Sequence, residues 1–163
     1  MKSLLLLRHA KSSWSRPDLP DHDRPLKKRG RRDAPKIGRL LLSEGIVPGL
    51  ILSSSAVRAR ETAAAVSTAC GRSVELRLLR DLYLAGPEDH ALLLRAVPDG
   101  EERVMTVGHN PGLEELLEAL TGARETLPTA ALALIQLPVE HWGRLALDGS
   151  ARLLRVWRPR ELD

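Results

Sequence analysis

Ser3-Leu4-Leu5-Leu6-Leu7-Arg8-His9-Ala10-Lys11 opens the chain with four consecutive leucines held between Lys2 and Arg8. An apolar run this short and closed by charge at both ends reads as a strand over residues 3–7, buried on both faces. Strands of that kind belong to parallel sheets covered by helices. Arg8 and His9 then fall at the carboxyl end of the strand.

Outward from this strand, strand and helix patterns alternate. Residues 11–25 are polar and Pro-rich and read as a long loop. Asp33 as cap and Pro35 in the first turn open a helix with Ile37, Leu40 and Leu41 on its apolar face, ending near Gly45. Leu50-Ile51-Leu52 reads as a second buried strand, with Ser53-Ser54-Ser55 capping an Ala-rich helix that runs to Cys70 and stops at Gly71. A strand over 74–79, a helix opened by Pro87, a strand over 104–107 and a helix with Asn110 as cap and Pro111 first follow. Residues 130–137 and 151–157 read as closing strands. The fold class expected is α/β, a three-layer sandwich with a mainly parallel central sheet and helices on both faces.

The length of 163 residues fits one domain over 1–163. Hydrophobic residues at 43% and charged residues at 28% exclude disorder and collagen-like repeats. With no Phe, three Trp and one Tyr, a base-stacking surface for single-stranded nucleic acid is excluded. One cysteine, Cys70, allows neither an internal disulfide nor a Cys-based zinc site, so cytoplasm is the expected location. The leucine run is too short for a signal peptide, and no apolar run approaches a membrane span. The net charge of +4 is concentrated in Lys27, Lys28, Arg29, Arg31 and Arg32, read as a solvated basic helix entrance ahead of a docking site for acidic or nucleic-acid partners.

Ligands of such sheets bind outside the carboxyl ends of the strands. Arg8 and His9 follow the first strand, Arg58 sits in the first turn after the second, and His109 follows the fourth. Guanidinium forks suit phosphate oxygens and helix N-termini offer unpaired N–H groups, so the collection describes a phosphoryl site. Among candidate nucleophiles Cys70 lies at the wrong end of its helix, which leaves histidine. An imidazole flanked by cations stays neutral and can attack phosphorus.

Leu-Leu-Arg8-His9-Ala10-Lys11, Ser54-x3-Arg58-Ala-x-x-Thr62 and Gly108-His109-Asn110-Pro111, with Asp23-Arg24-Pro25-Leu26 and Arg29-Gly30 between them, resemble the histidine phosphatase superfamily. The family is also called phosphoglycerate mutase-like, and the resemblance is to its short SixA-like phosphohistidine phosphatase branch. It implies a phosphohistidine intermediate on His9, phosphate-binding Arg8 and Arg58, His109 as second phosphate contact, and no cofactor or metal. Ala10 stands where many members carry Gly, as the short branch does. Arg60 falls outside the motif and reads as a solvated helix residue. By position Asp81 matches the general acid of larger relatives, with Asp18, Asp21, Asp23 and Glu88 as rivals.

Little chain separates Leu82 from Val104, too little for the capping insert of larger relatives, and imidazole leaves more readily than an alkoxide. Both points favour phosphohistidine in a protein as substrate over a small phosphoester; a small-molecule phosphomonoesterase and a non-catalytic phosphate- or phosphoprotein-binding module stay open. No nucleic-acid or membrane partner is expected, and the sequence does not give the oligomeric state. No histidine pair has the spacing of a helix-borne metal motif. His22 reads as an exposed loop residue and His90 and His141 as helix-surface residues. The tryptophans read as packing, with Trp14 a candidate wall of the pocket.

Overall fold

The computed structural model describes residues 1–162 and places Leu4, Leu5, Leu6 and Leu7, all at 0% exposure, near the centre of a six-stranded sheet. Their strand, β1 (Lys2–Arg8), is followed by α1 (Lys28–Ser43), β2 (Leu50–Ser54), α2 (Val57–Ala69), β3 (Glu75–Leu79) and α3 (Pro87–Arg95). Next come β4 (Arg103–Gly108), α4 (Gly112–Thr121), β5 (Leu132–Leu137) and β6 (Arg152–Trp157). The spatial order is β3-β2-β4-β1-β5-β6, in which β3, β2, β4 and β1 run parallel, β5 runs antiparallel to β1, and β6 antiparallel to β5.

Alternation of side chains along the strands sends them into two cores. Leu5, Leu7, Ile51 and Met105 pack with Ile37 and Leu41 of α1 and Ala63 and Val66 of α2. Leu4, Leu6, Leu50 and Val104 pack with Leu94 of α3 and Leu116 and Leu120 of α4. Each buried leucine contributes about 1.5–3 kcal/mol relative to exposure, so the β1 run anchors both layers. The sandwich is the expected one. No helix among the described residues is long and apolar enough to cross a membrane.

Three helix starts differ from the sequence reading. α1 begins at Lys28, and Asp33 is a buried residue inside it, near Arg29, Arg32 and Lys36 at 3.7, 3.8 and 3.6 Å. Its start is fixed by the loop before it: Lys27 donates its N–H to the Lys11 carbonyl at 3.0 Å, and its own carbonyl accepts the Arg31 N–H. Pro35 therefore lies in the helix interior, where it removes one backbone donor. The cap of α2 is Ala56, because Ser53 and Ser54 complete β2. The cap of α4 is Pro111, joined to Asn110 by a cis peptide, and the Asn110 side chain is drawn away to the Leu127 carbonyl at 2.8 Å.

β1 and β4 are neighbours, with Arg8 level with Gly108, yet the chain leaves β1 toward the α1 face and leaves β4 toward the α4 face. Divergent loops at adjacent strand ends open a crevice between them. Arg8 and His9 stand on one lip and His109 on the other.

Candidate active site

His9 is held by the end of β4 and by the turn that leads into β5. Its N–H donates to the Gly108 carbonyl at 3.1 Å, and its carbonyl accepts the Ala130 N–H at 3.1 Å. The following Ala10 N–H donates to Thr62 Oγ1 at 3.0 Å, and that hydroxyl donates to the Arg58 carbonyl at 2.7 Å, tying the β1 loop to α2. The ring is 6% exposed. Nδ1–H donates to the Ala10 carbonyl at 2.8 Å, which fixes the tautomer and leaves the Nε2 lone pair free. Burial, assisted by the charges of Arg58, Arg8 and Arg24 and opposed by the Ala10 hydrogen bond, pulls the His9 pKa down to about 4. The imidazole is neutral at pH 7.

His109 faces it, with ring centroids 5.2 Å apart. Ser54 Oγ accepts the Ala56 N–H at 3.2 Å and shares a hydrogen bond of 2.8 Å with His109 Nε2. Nδ1 of His109 is buried and without a protein partner. Burial first, then the neighbouring His9 and Arg58, lower its pKa to about 3.

Two guanidinium groups complete the centre. Arg8 donates to the Leu127 carbonyl at 3.0 Å, and its Nε is buried without a partner. Arg58, 3% exposed, donates to the Asp21 carbonyl at 2.7 Å and to Asp21 Oδ2 at 3.0 Å, and its Nε is also unpartnered. Arg8, His9, Arg58 and His109 line one cavity of about 220 Å³, with Arg24, Trp14 and Leu84 at its wall. The four residues that the sequence places at strand and helix ends are brought together.

Asp81 is not. It lies exposed on the short 3-10 turn Arg80–Leu82, makes no hydrogen bond or ion pair with a site residue, and does not line the cavity. The turn carries Leu82 into the core and so aims the preceding carboxylate at solvent. Asp18 is exposed and paired with Arg16, Asp23 is exposed beside His22, and Glu88 is exposed at the start of α3. Asp21 alone of the five carboxylates reaches the site. Its Oδ1 accepts from Arg24 at 3.1 Å, and its Oδ2 from Arg58 and, at 2.6 Å, from the Tyr83 hydroxyl. Burial works to raise its pKa, but the bonds from Tyr83, Arg58 and Arg24 prevail and hold it at about 2.

Tyr83 and Arg24 had no assigned role in the sequence, and Ser54 only that of a helix cap. Tyr83 packs its edge against His109 at 5.6 Å and against His22 at 4.9 Å, so His22, bonded to Ser55 Oγ at 2.9 Å, is a half-buried neighbour of the site rather than a free loop residue. Arg24 lies 3.5 Å over the Trp14 ring, which is 70% exposed. His90 is a core residue, 1% exposed beside Thr106, and not a surface one. His141 is exposed as expected. Among the described residues no group of three or more His, Cys, Asp or Glu is arranged to hold a metal ion.

Comparison with known proteins finds a match of residues 4–83 to the model of the histidine phosphatase superfamily (branch 1). An uncharacterized chloroplastic protein of Arabidopsis thaliana is 37% identical over 159 residues, covering 91% of this chain and 72% of its own. The crystal structure of an Agrobacterium tumefaciens protein assigned as the phosphohistidine phosphatase SixA superposes with a TM-score of 0.82 at 31% identity, covering 97% of this chain and 98% of the other. A protein histidine phosphatase SixA complexed with tungstate superposes with a TM-score of 0.83 at 19% identity, covering 99% of both chains.

Proposed function

The chain belongs to the histidine phosphatase superfamily, in its SixA-like branch, and from that premise we propose that it is a metal-independent phosphohistidine phosphatase. In this reading residues 1–163 form one catalytic domain, the substrate is a phosphohistidine side chain of a protein, and the enzyme works in the cytoplasm. The observation that carries the proposal is a neutral, tautomer-fixed His9 facing His109 between two guanidinium groups.

The chemistry runs in two displacements. His9 Nε2 gives its lone pair to phosphorus while the bond from phosphorus to the substrate imidazole breaks, and the departing nitrogen takes up a proton. Water then attacks phospho-His9, releasing inorganic phosphate and restoring the imidazole. Arg8, Arg58 and His109 contact the three equatorial oxygens, over which the charge of each transition state is spread. Asp21 is ionised and holds Arg58 by two contacts, so its role is to position the guanidinium. The leaving imidazole, a weaker demand than an alkoxide, requires no strong acid from the protein.

Hydrolysis of a phosphohistidine peptide and of p-nitrophenyl phosphate, each with and without EDTA, tests this reading. Turnover of the peptide unaffected by chelation is expected. Loss of activity to EDTA contradicts metal independence, turnover of small phosphoesters alone assigns a phosphomonoesterase, and tight phosphate binding without turnover assigns a binding module.

A further inference from the structure

A second, larger cavity of about 700 Å³ adjoins the catalytic one and shares Arg8, Asn110 and Thr129 with it. Besides Arg8, its walls carry Arg29 and Arg32 from α1 and Arg158 and Arg160 from the segment after β6. Two carboxylates, Asp33 and Glu114, also line it. Asp33 faces Arg29, Arg32 and Lys36 at once, so one negative charge is shared among three cations. Arg158 is bonded to Glu125 at 3.1 Å, and Arg160 makes no hydrogen bond or ion pair with another described residue.

The placement of these cations opposes folding economy. Lys28, Arg29, Arg31 and Arg32 occupy the first turns of α1, whose first turn has no acidic residue. The positive end of a helix dipole favours anions there and disfavours cations. Local rules are broken in this way chiefly where a site requires it. On the other side of the catalytic pocket, Trp14 and Leu84 are 70% and 59% exposed, which suits contact with a protein surface and does nothing for a small phosphate.

We propose that the arginine-lined cavity beside the catalytic pocket is a docking groove for acidic side chains that flank the phosphohistidine of the substrate protein. This rests on the phosphohistidine phosphatase reading and names the substrate feature it selects. Arg29, Arg32 and Arg160 pair with substrate carboxylates, so the groove acts on KM and on salt dependence and leaves the chemical step alone.

The test uses two phosphohistidine peptides of equal length, one flanked by glutamates and one by glutamines, and the R29Q/R32Q/R160Q variant of the full chain. These three side chains are outside the catalytic pocket. The wild-type enzyme is expected to favour the glutamate peptide by about ten-fold in kcat/KM at low salt, through KM. The variant is expected to lose the preference while hydrolysing the glutamine peptide and p-nitrophenyl phosphate as before. Calorimetric binding of the unphosphorylated glutamate peptide, present in wild type and lost in the variant, supports the groove independently of turnover. Equal kcat/KM for the two peptides, a preference that survives in the variant, or arginine-dependent binding of duplex DNA instead of the acidic peptide overturns it. Acidic-peptide binding without hydrolysis of either phosphopeptide keeps the groove and refutes the parent function.

Discussion

At His9, burial and three guanidinium groups act together to keep the imidazole unprotonated, and this sets the expected pH dependence. After correction for substrate ionisation, kcat/KM with p-nitrophenyl phosphate should be level through neutral pH and fall only toward about pH 4. A midpoint near 6.5 would mean an imidazole that the fold does not perturb. Asp21→Asn, which keeps the backbone carbonyl contact to Arg58 but removes the carboxylate charge, is expected to lower kcat about ten-fold, with Asp81→Asn within about two-fold of wild type. Assays of the two purified variants decide between the carboxylates. Arg8, His9, Arg58 and His109 were legible in the sequence because each sits at a local signal, a strand end or a helix start. Asp21 stood only as one of several rivals for the acid and Tyr83 had no role, since the two meet across 62 positions of chain and nothing local marks their pairing.

Elements position the centre through two close approaches. A Cβ on Gly30 would fall 2.2 Å from the Lys11 carbonyl oxygen, so only glycine lets α1 lie against the loop that follows His9. Gly30→Ala is expected to destabilise by about 1–3 kcal/mol, read in thermal unfolding, and to lower kcat as that loop shifts. Thr62→Val keeps the shape but leaves the buried Ala10 N–H without its acceptor, at a cost of about 1–3 kcal/mol in denaturant unfolding. The alternation of strands and helices was readable from apolar runs and their Gly and Pro punctuation. The start of α1 was not: capping preference points to Asp33, whereas the bridge between Ser12 and Leu26 brings the chain into helix six residues earlier. The Arg29-Gly30 pair was visible as a motif, but its reason lies in contact with Lys11, distant in sequence.

For the molecule as a whole, three buried histidines tie stability to pH. His9, His90 and His109 have folded pKa values of about 4, 4 and 3, below the ordinary 6.5. Below that ordinary value the unfolded chain binds protons that the folded chain refuses. Stability is therefore expected to decline as pH falls from about 6.5 toward 4, and urea midpoints at pH 7.5 and 4.5 measure it. His90→Leu, with one depressed imidazole fewer, should show a shallower decline. The layered architecture was legible because patterning along the chain fixes which faces are buried. The arginine-lined cavity was not, because its walls come from opposite ends of the sequence and the basic run alone reads as a solvated helix start. The central claim, a covalent intermediate on His9, is tested most directly by rapid acid-free quenching of the intact enzyme during turnover, followed by mass spectrometry. One alkali-stable, acid-labile phosphoryl group on His9, absent from a His9→Asn enzyme that has lost turnover, is the result expected. A phosphoryl group on another residue, or wild-type turnover by His9→Asn, would contradict it.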